Sequence, residues 1–405
     1  MSFSADDHRF MSRAIQLAEK GRYTTRPNPC VGCVLVKDGQ IVSEGWHYRA
    51  GEAHAEIQAL QQLPADLRSG NITAYVTLEP CAHQGRTGSC AIALADRKST
   101  GISRVVYGME DPNPLVAGKG LAILRESGCV VDGPLMATQA AALNQGFIRR
   151  MQRQRPWVTA KIATSIDGRT AMASGESQWI TSVPARQDVQ RLRAQSCGVI
   201  SGINSILHDN SRLSVRREDS DLPNIDDILQ RPPLRILLDT HLRITDGDNL
   251  AANIFNQSPA AKVVVFTSTA VTDGKIETVL SLNDSASDGT ITSTMTSRMI
   301  TPMVTVEQVA TTDAGHLCLE QVLTVLATRY ECNTVLVETG ATLLGGFIEA
   351  GLVDELIIYQ APVLLGSDAR ALANVSLASM QEKIALTVTD RRMVGDDCRI
   401  TAQCH

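Results

Sequence analysis

No block of five or more lysines and arginines occurs in the 405 residues, and the formal net charge is -5. Broad electrostatic attachment to nucleic acid is therefore not expected. Nor is there a stretch of about 18 apolar residues of the kind that crosses a bilayer. The opening MSFSADDHRF has no basic segment leading into an apolar run, the pattern of a secretory leader. The expectation is a cytoplasmic protein with no membrane and no nucleic-acid partner. The ten cysteines are too thinly spread for the disulfide framework of a small secreted domain. They are expected to be thiols, some of them available to a metal. A modest overall charge still permits a small anionic substrate, because local arginines can hold a phosphate.

What is present is an ordinary globular composition, 43% apolar, in a chain longer than one hydrophobic core usually serves, so two domains are expected. Asp6 to Lys20 carries Phe10, Ala14, Leu17 and Ala18 on one helical stripe that Gly21 ends. VGCVLVKDGQIV reads as two strands around an Asp-Gly turn. HAEIQALQQL is helical, ITAYVTL strand-like, CAIALADR helical and SRVVYG a strand. The polar run RRMQRQRP, closed by proline, marks a boundary and gives domains 1–150 and 151–405. The second half has new strands in WVTAKIAT, CGVIS, LRILLD, AKVVVFTS, TVLVE and DELIIY. Residues 281–298, rich in Ser, Thr and Asp, read as a surface excursion. Alternating strands and helices in both halves imply layered α/β domains.

A hydrolytic zinc site needs three protein ligands, an open position for water and a carboxylate that is not itself a ligand. His54-Ala55-Glu56 opens a helix after an irregular segment, so both side chains can enter one cavity. Glu79-Pro80-Cys81 ends a strand, and Cys90 starts the next helix, where a thiolate gains from the helix dipole. The spacing departs from H-x-E followed by P-C-x-x-C, the zinc-deaminase pattern, because eight residues separate the cysteines. Ligands need converge only in space, and a longer loop can bulge over the pocket. Taken singly, a His-x-Glu is usually a solvated helix face and a cysteine a core thiol; their joint occurrence around Pro80 favours the metal. His83 is a rival ligand that leaves His54 unexplained and is read as pocket lining. Cys30 and Cys33, a C-x-x-C pair at an apolar strand, are read as core residues.

In the second half, TVLVETGATLLGGF offers a strand ending in Glu338 and glycines 340, 345 and 346 around a helix start. Backbone N–H groups at such a start can meet a diphosphate, although glycine after a strand is mostly turn punctuation. Lys161 and Asp167, flanking a strand end, are plausible pocket groups.

RPNPCVGCVLVKDG, HAEIQAL, YVTLEPCAHQGRTGSC and DPNPLVAGKG, with AKIATSIDGRTAMASGESQWITS and ETGATLLGGF, closely resemble the bifunctional deaminase-reductases of bacterial riboflavin biosynthesis over almost the whole chain. The resemblance implies a cytidine-deaminase-like three-layer N-terminal domain that binds one Zn2+. It implies a dihydrofolate-reductase-like α/β C-terminal domain that uses NADPH. The implied substrate is 2,5-diamino-6-(5-phosphoribosylamino)pyrimidin-4-one, deaminated and then reduced from ribosyl to ribityl, in a cytoplasmic homo-oligomer, expected to be a dimer. Position by position it implies His54, Cys81 and Cys90 as zinc ligands, Glu56 as proton shuttle, and Asn28 and Asn113 at the pyrimidine. Ser177, Arg193, Leu213, Arg216 and Glu338 fall on substrate positions, with Arg193 and Arg216 suited to the phosphate. Ala163, Trp179, Ser205, Asp209, Thr240 and the run Gly340, Ala341, Thr342, Leu343, Leu344, Gly345, Gly346 fall on NADPH positions. Asn210 and Ser211 stand where relatives have Asp and Pro, which implies a looser loop.

Two further readings are consistent with the motifs. One is a nucleoside- or RNA-editing deaminase with an accessory domain, against which the acidic balance and the arginine pair weigh. The other is a zinc-stabilised binding protein without catalysis, against which stands the usual four-ligand shell of a structural zinc.

Overall fold

The computed structural model describes residues 2–68, 70–82, 88–114, 116–255, 262–283 and 304–404. His83 and residues 284–298 of the expected surface excursion lie outside them. The elements of the first half are α1 (Ala5–Glu19), β1 (Gly32–Lys37), β2 (Gln40–Trp46), α2 (Ala55–Gln62), β3 (Ile72–Val76), α3 (Cys90–Ala95), α4 (Arg97–Thr100), β4 (Ile102–Tyr107), α5 (Lys119–Glu126), β5 (Val130–Asp132), α6 (Ala137–Ala142) and α7 (Gln145–Arg153). The chain falls into two compact units, Met1–Arg155 and Pro156–His405. Residue 150, the expected boundary, lies inside α7, which stays helical until Gln154 turns into the left-handed region at φ 52°.

The first unit is built on a sheet of order β2-β1-β3-β4-β5. Its β1–β2 hairpin turns at Asp38 and Gly39, both at positive φ, the backbone an Asp-Gly pair tolerates. Side chains alternate along β1. Cys33 and Leu35 pack with Ala55 and Ala59 of α2 and Leu94 of α3, while Val34 and Val36 pack with Phe10, Met11 and Leu17 of α1. Helices thus cover both faces, and the unit has three layers. The strand leading to Cys81 is shorter than expected. It ends at Val76, and Thr77 to Pro80 continue as irregular backbone.

Ser4 and Asp7 cap α1 reciprocally, and Asp7 has a second task. Its carboxylate also accepts from Tyr75 Oη at 2.8 Å and Arg104 at 2.7 Å, and Arg104 reaches on to Asp132 at 2.7 Å. Burial alone would raise the Asp7 carboxyl, but the hydrogen bonds from Arg104, Ser4 and Tyr75 hold it well below the usual carboxylate range. A depressed folded-state value means that this stabilisation is present above the unfolded carboxyl's pKa near 4 and is lost as pH falls below it. We expect Asp7→Asn to lower the melting temperature of this unit at pH 7 and to flatten its further drop between pH 5 and 3. Thermal melts of both proteins across that range check this; parallel pH curves would disprove it.

The second unit contains β6 (Trp157–Ser165), β7 (Arg169–Ala171), α8 (Val183–Gln195), β8 (Gly198–Gly202), α9 (Ile203–Asp209), α10 (Ile225–Gln230), β9 (Leu234–Leu238), β10 (Val263–Ser268), α11 (Asp273–Leu280), β11 (Val304–Val309), α12 (Leu319–Thr328), β12 (Thr334–Glu338), α13 (Ala341–Glu349), β13 (Glu355–Ala361), β14 (Arg370–Ala371), β15 (Leu386–Val394) and β16 (Asp397–Cys404). The main sheet has the order β11-β10-β9-β8-β12-β6-β13-β16-β15. It is parallel from β11 to β13, and β16 and β15 close it antiparallel. Apolar clusters lie on both faces, as a parallel sheet requires. On β12, Val335 and Val337 join the cluster beneath α13, and Leu336 joins the one beneath α8. Glu338, two residues on from Leu336, therefore faces α8.

Candidate active sites

Three donor atoms meet in the first unit. His54 is the N-cap of α2, Cys90 is the first residue of α3, and Cys81 lies on the segment beyond β3. His54 Nδ1 is 3.6 Å from Cys81 Sγ and 3.3 Å from Cys90 Sγ, and all three donors lie within 4.8 Å of one another. Tetrahedral N and S ligands at about 2.1 and 2.3 Å from one zinc stand roughly 3.6 Å apart. The donor set therefore fits that ion in both chemistry and spacing. Among the described residues this is the one such cluster. The Cys81 thiol is pulled well below its ordinary value by hydrogen bonds from Cys90 and His54, against the effect of burial. It is thereby biased to the thiolate a metal needs.

Glu56, in the first turn of α2, is buried beside these donors, and burial pushes its carboxyl up to about 7. A cation held by the donors acts in the opposite sense. His47, which has no sequence motif to announce it, is almost fully buried, and its ring stands edge-on to His54 at 5.2 Å. Its Nδ1 meets the Ala53 carbonyl at 3.2 Å, so that nitrogen carries the proton. Nε2 then accepts from Asn28 Nδ2 at 3.1 Å. Burial lowers the imidazole's pKa and keeps it neutral. This chain of bonds fixes the orientation of the Asn28 amide.

Asn144, just before α7, grips the same loop from the other side. Its Oδ1 accepts from Cys30 N–H at 2.8 Å, and its Nδ2 donates to the Cys30 carbonyl at 2.9 Å. Cys33 is buried in β1 as expected, while Cys30 precedes the strand and its thiol touches Thr25. Asn113 sits in the turn before α5, its N–H on the Asp111 carboxylate.

In the second unit the named positions gather at the C-terminal ends of neighbouring parallel strands, where open α/β sheets bind ligands. Glu338 ends β12, in register with Lys161 of β6. It grips Arg193 of α8 through two bonds, Nε–Oε1 at 2.6 Å and Nη2–Oε2 at 3.0 Å, while Arg193 Nη1 donates to Ser214 O at 2.8 Å. The Arg193 fork, expected to face a phosphate, is thus turned onto Glu338. Arg216 pairs with Asp219. Burial works against ionising Glu338, but Arg193, Lys161 and Arg216 together hold its pKa below the ordinary value. Burial lowers that of Lys161. Ser177 donates to Asp209 at 3.4 Å. The loop expected to loosen is fastened: Asn210 Oδ1 accepts from Asn253 N–H at 2.7 Å, and Leu213 is buried.

α9 and α13 start directly beyond the adjacent strands β8 and β12, neither with a side-chain cap. A Cβ on Gly202 would lie 3.3 Å from Leu343, so the two starts are close neighbours, with Ser205 in the first turn of α9. In α13 the Leu344 N–H already binds Gly340 O, and the helix's own pattern leaves the N–H groups of Ala341, Thr342 and Leu343 for a diphosphate. That is a fitting cradle for a dinucleotide. Leu344, however, is buried in the core, and a Cβ on Gly345 would lie 2.1 Å from Asn374 O. These two positions serve packing, because α13 begins at Ala341 and carries them round to its buried side. Thr240 follows β9, and its carbonyl accepts from Ser268 N–H. Ala163 lies on β6. Trp179 is exposed, with the Arg186 guanidinium 4.4 Å above its ring.

Two family models match the chain: the cytidine and deoxycytidylate deaminase zinc-binding region over residues 4–109, and the RibD C-terminal domain over residues 156–398. The riboflavin biosynthesis protein RibD of Escherichia coli K12 is 42% identical over 395 residues, covering 96% of this chain and 97% of that protein. The structure of Acinetobacter baumannii RibD superposes with a TM-score of 0.83 at 38% identity, covering 99% of both chains. A deaminase/reductase structure from Thermotoga maritima gives 0.78 at 27% identity, also with 99% of both covered. With zinc-donor geometry in one unit, an uncapped helix cradle in the other and relatives matching from end to end, the chain belongs to the RibD family, the bifunctional deaminase-reductases of riboflavin biosynthesis.

Proposed function

We propose that the first unit deaminates 2,5-diamino-6-(5-phosphoribosylamino)pyrimidin-4-one at a zinc held by His54, Cys81 and Cys90, and that the second reduces the product's ribosyl group to ribityl with NADPH. The observation that carries this reading is the convergence of one imidazole and two thiols within 4.8 Å of one another, beside a buried carboxyl that is not one of the three. When bound, zinc supplies a Lewis acid that brings the pKa of water down toward about 7. Glu56 takes the proton of the attacking water and delivers it to the departing amino group, so that a C–O bond replaces C–N and ammonia leaves. Asn28, held by His47, presents Oδ1 to the pyrimidine, with Asn113 on the segment before α5 as a second contact.

In the second unit NADPH supplies the hydride. The N–H groups at the start of α13 hold its diphosphate, with Ala163, Trp179, Ser205, Asp209 and Thr240 around it. Ser177 and Arg216 position the sugar phosphate, and Glu338 holds Arg193 in place near them. A one-pot reaction with the pyrimidine, zinc and NADPH tests the reading: ammonia appears first, and NADPH is then consumed mole for mole. Ammonia without NADPH oxidation would remove the second half of it.

The Asn144 clamp gives a smaller expected effect. Asn144→Ala removes two hydrogen bonds that hold the Asn28 loop, each contributing about 1 kcal/mol. KM for the pyrimidine should rise roughly 5-fold to 30-fold with zinc content unchanged. Steady-state ammonia release against substrate concentration checks it, and an unchanged KM rejects it.

A further inference from the structure

Glu79 is buried at 4% exposure, and both of its oxygens face backbone. Oε2 accepts from the N–H groups of Asp111 at 3.2 Å and Gly118 at 3.0 Å, and Oε1 from that of Gly120 at 2.9 Å. Gly118 is the N-cap of α5 and brings no side-chain cap of its own. A carboxylate 39 residues earlier in the chain supplies that cap, at the helix end where negative charge is favoured.

Gly120 completes the joint. A Cβ there would lie 1.9 Å from Pro80 O and 3.2 Å from Glu79 Oε1, so the backbone of α5 rests directly on the peptide joining Pro80 to Cys81. No side chain larger than hydrogen fits there without moving that peptide. On its far side Cys81 is tied to α3. Its Sγ accepts from Cys90 N–H at 3.4 Å, and its carbonyl accepts from Ala91 N–H at 3.1 Å and Ser89 Oγ at 2.9 Å. Cys81 therefore stands between two fixed points, α3 and the joint made by Glu79. β3 does not hold it, having ended at Val76.

We propose that Glu79 is a positioning residue for the zinc site: by binding three N–H groups of the Asp111–Gly120 segment, it sets where Cys81 Sγ stands relative to His54 and Cys90. This rests on the assignment of those three residues as the zinc ligands. Partners one step removed from a metal typically change its affinity or the activity by about 10-fold to 100-fold when replaced. Here the step runs through the backbone between Glu79 and Cys81.

Glu79→Gln tests it in the full chain. The amide keeps the size, but offers one acceptor oxygen where two are used and turns an NH2 toward backbone N–H groups. Zinc affinity is read by competition with a chromophoric chelator, and ligand geometry by the visible spectrum of the cobalt-substituted protein. The expected result is a zinc dissociation constant about 10-fold to 100-fold higher and shifted thiolate-to-cobalt bands. NADPH oxidation with the deaminated intermediate supplied should be unchanged, which shows that the second unit is intact, and a cooperative thermal melt of the first unit shows that the unit carrying Glu79 is folded.

Glu79→Asp keeps the charge and withdraws it by one methylene, so its zinc affinity should fall between the two. It also supplies the reading if Glu79→Gln fails to melt cooperatively. Wild-type zinc affinity and cobalt bands in Glu79→Gln, or in Glu79→Asp where that variant stands in, overturn the proposal, whatever happens to ammonia release. A wild-type chain that binds no zinc overturns instead the ligand assignment beneath it.

Discussion

Glu56→Gln is expected to keep one zinc per chain and to release ammonia roughly 10²-fold to 10⁴-fold more slowly, the range over which a positioned acid–base group contributes to rate. The amide fills the space of the carboxyl, so the three donors keep their places. What it loses is the ability to take a proton on one side of the reaction and return it on the other. The amide has nearly the shape of the carboxyl, so the melting temperature of the zinc-loaded protein should change little. Metal analysis and ammonia release on the same preparation separate the outcomes. Full activity would show that another group moves the proton, and loss of zinc would show that Glu56 shapes the metal site itself.

Glu338→Gln should have the largest effect in the second unit. Glu338 is the partner that allows Arg193 to be buried as a cation, and Lys161 lies in register beside it. Removing one member of a buried ion pair leaves the other uncompensated, at about 3–5 kcal/mol. For a unit of this size that corresponds to a fall in melting temperature of roughly 6–20 °C. NADPH oxidation should drop by about 30-fold or more, since two cations lining the site lose the carboxylate that orients them. Ammonia release from the other unit should continue at the wild-type rate. Scanning calorimetry together with separate assays of the two activities checks this, and an unchanged second transition would mean that the pair is solvated and dispensable.

The contrast between the two sites follows from where their information lies in the chain. His54, Cys81 and Cys90 announce themselves because metal ligation demands particular atoms, and few residue types supply them. Glu56 follows from its two-residue spacing to His54 at a helix start. The groups that hold these in place are another matter. His47 acts on the Asn28 side chain, and Glu79 and Asn144 on backbone, across 19, 32 to 41 and 114 residues, and a hydrogen bond to backbone leaves no signature at its receiving end. The same holds for Leu344 and Gly345, which share a glycine-rich run with the diphosphate cradle yet point into the core because α13 starts at Ala341.

The apolar periodicities determined most of the strands and helices. They failed at β15, an edge strand exposed along nearly its whole length, which carries no buried face to alternate with a polar one. From the linear chain alone came two α/β halves and the atoms of a metal site, both of which depend on residue type and local spacing. Only the tertiary structure decided that Arg193 meets Glu338, that the Asn210 loop is fastened at Asn253, and that α5 rests on Glu79 and Pro80. Such contacts join positions far apart in sequence, and their geometry exists only once the sheets have brought those positions together.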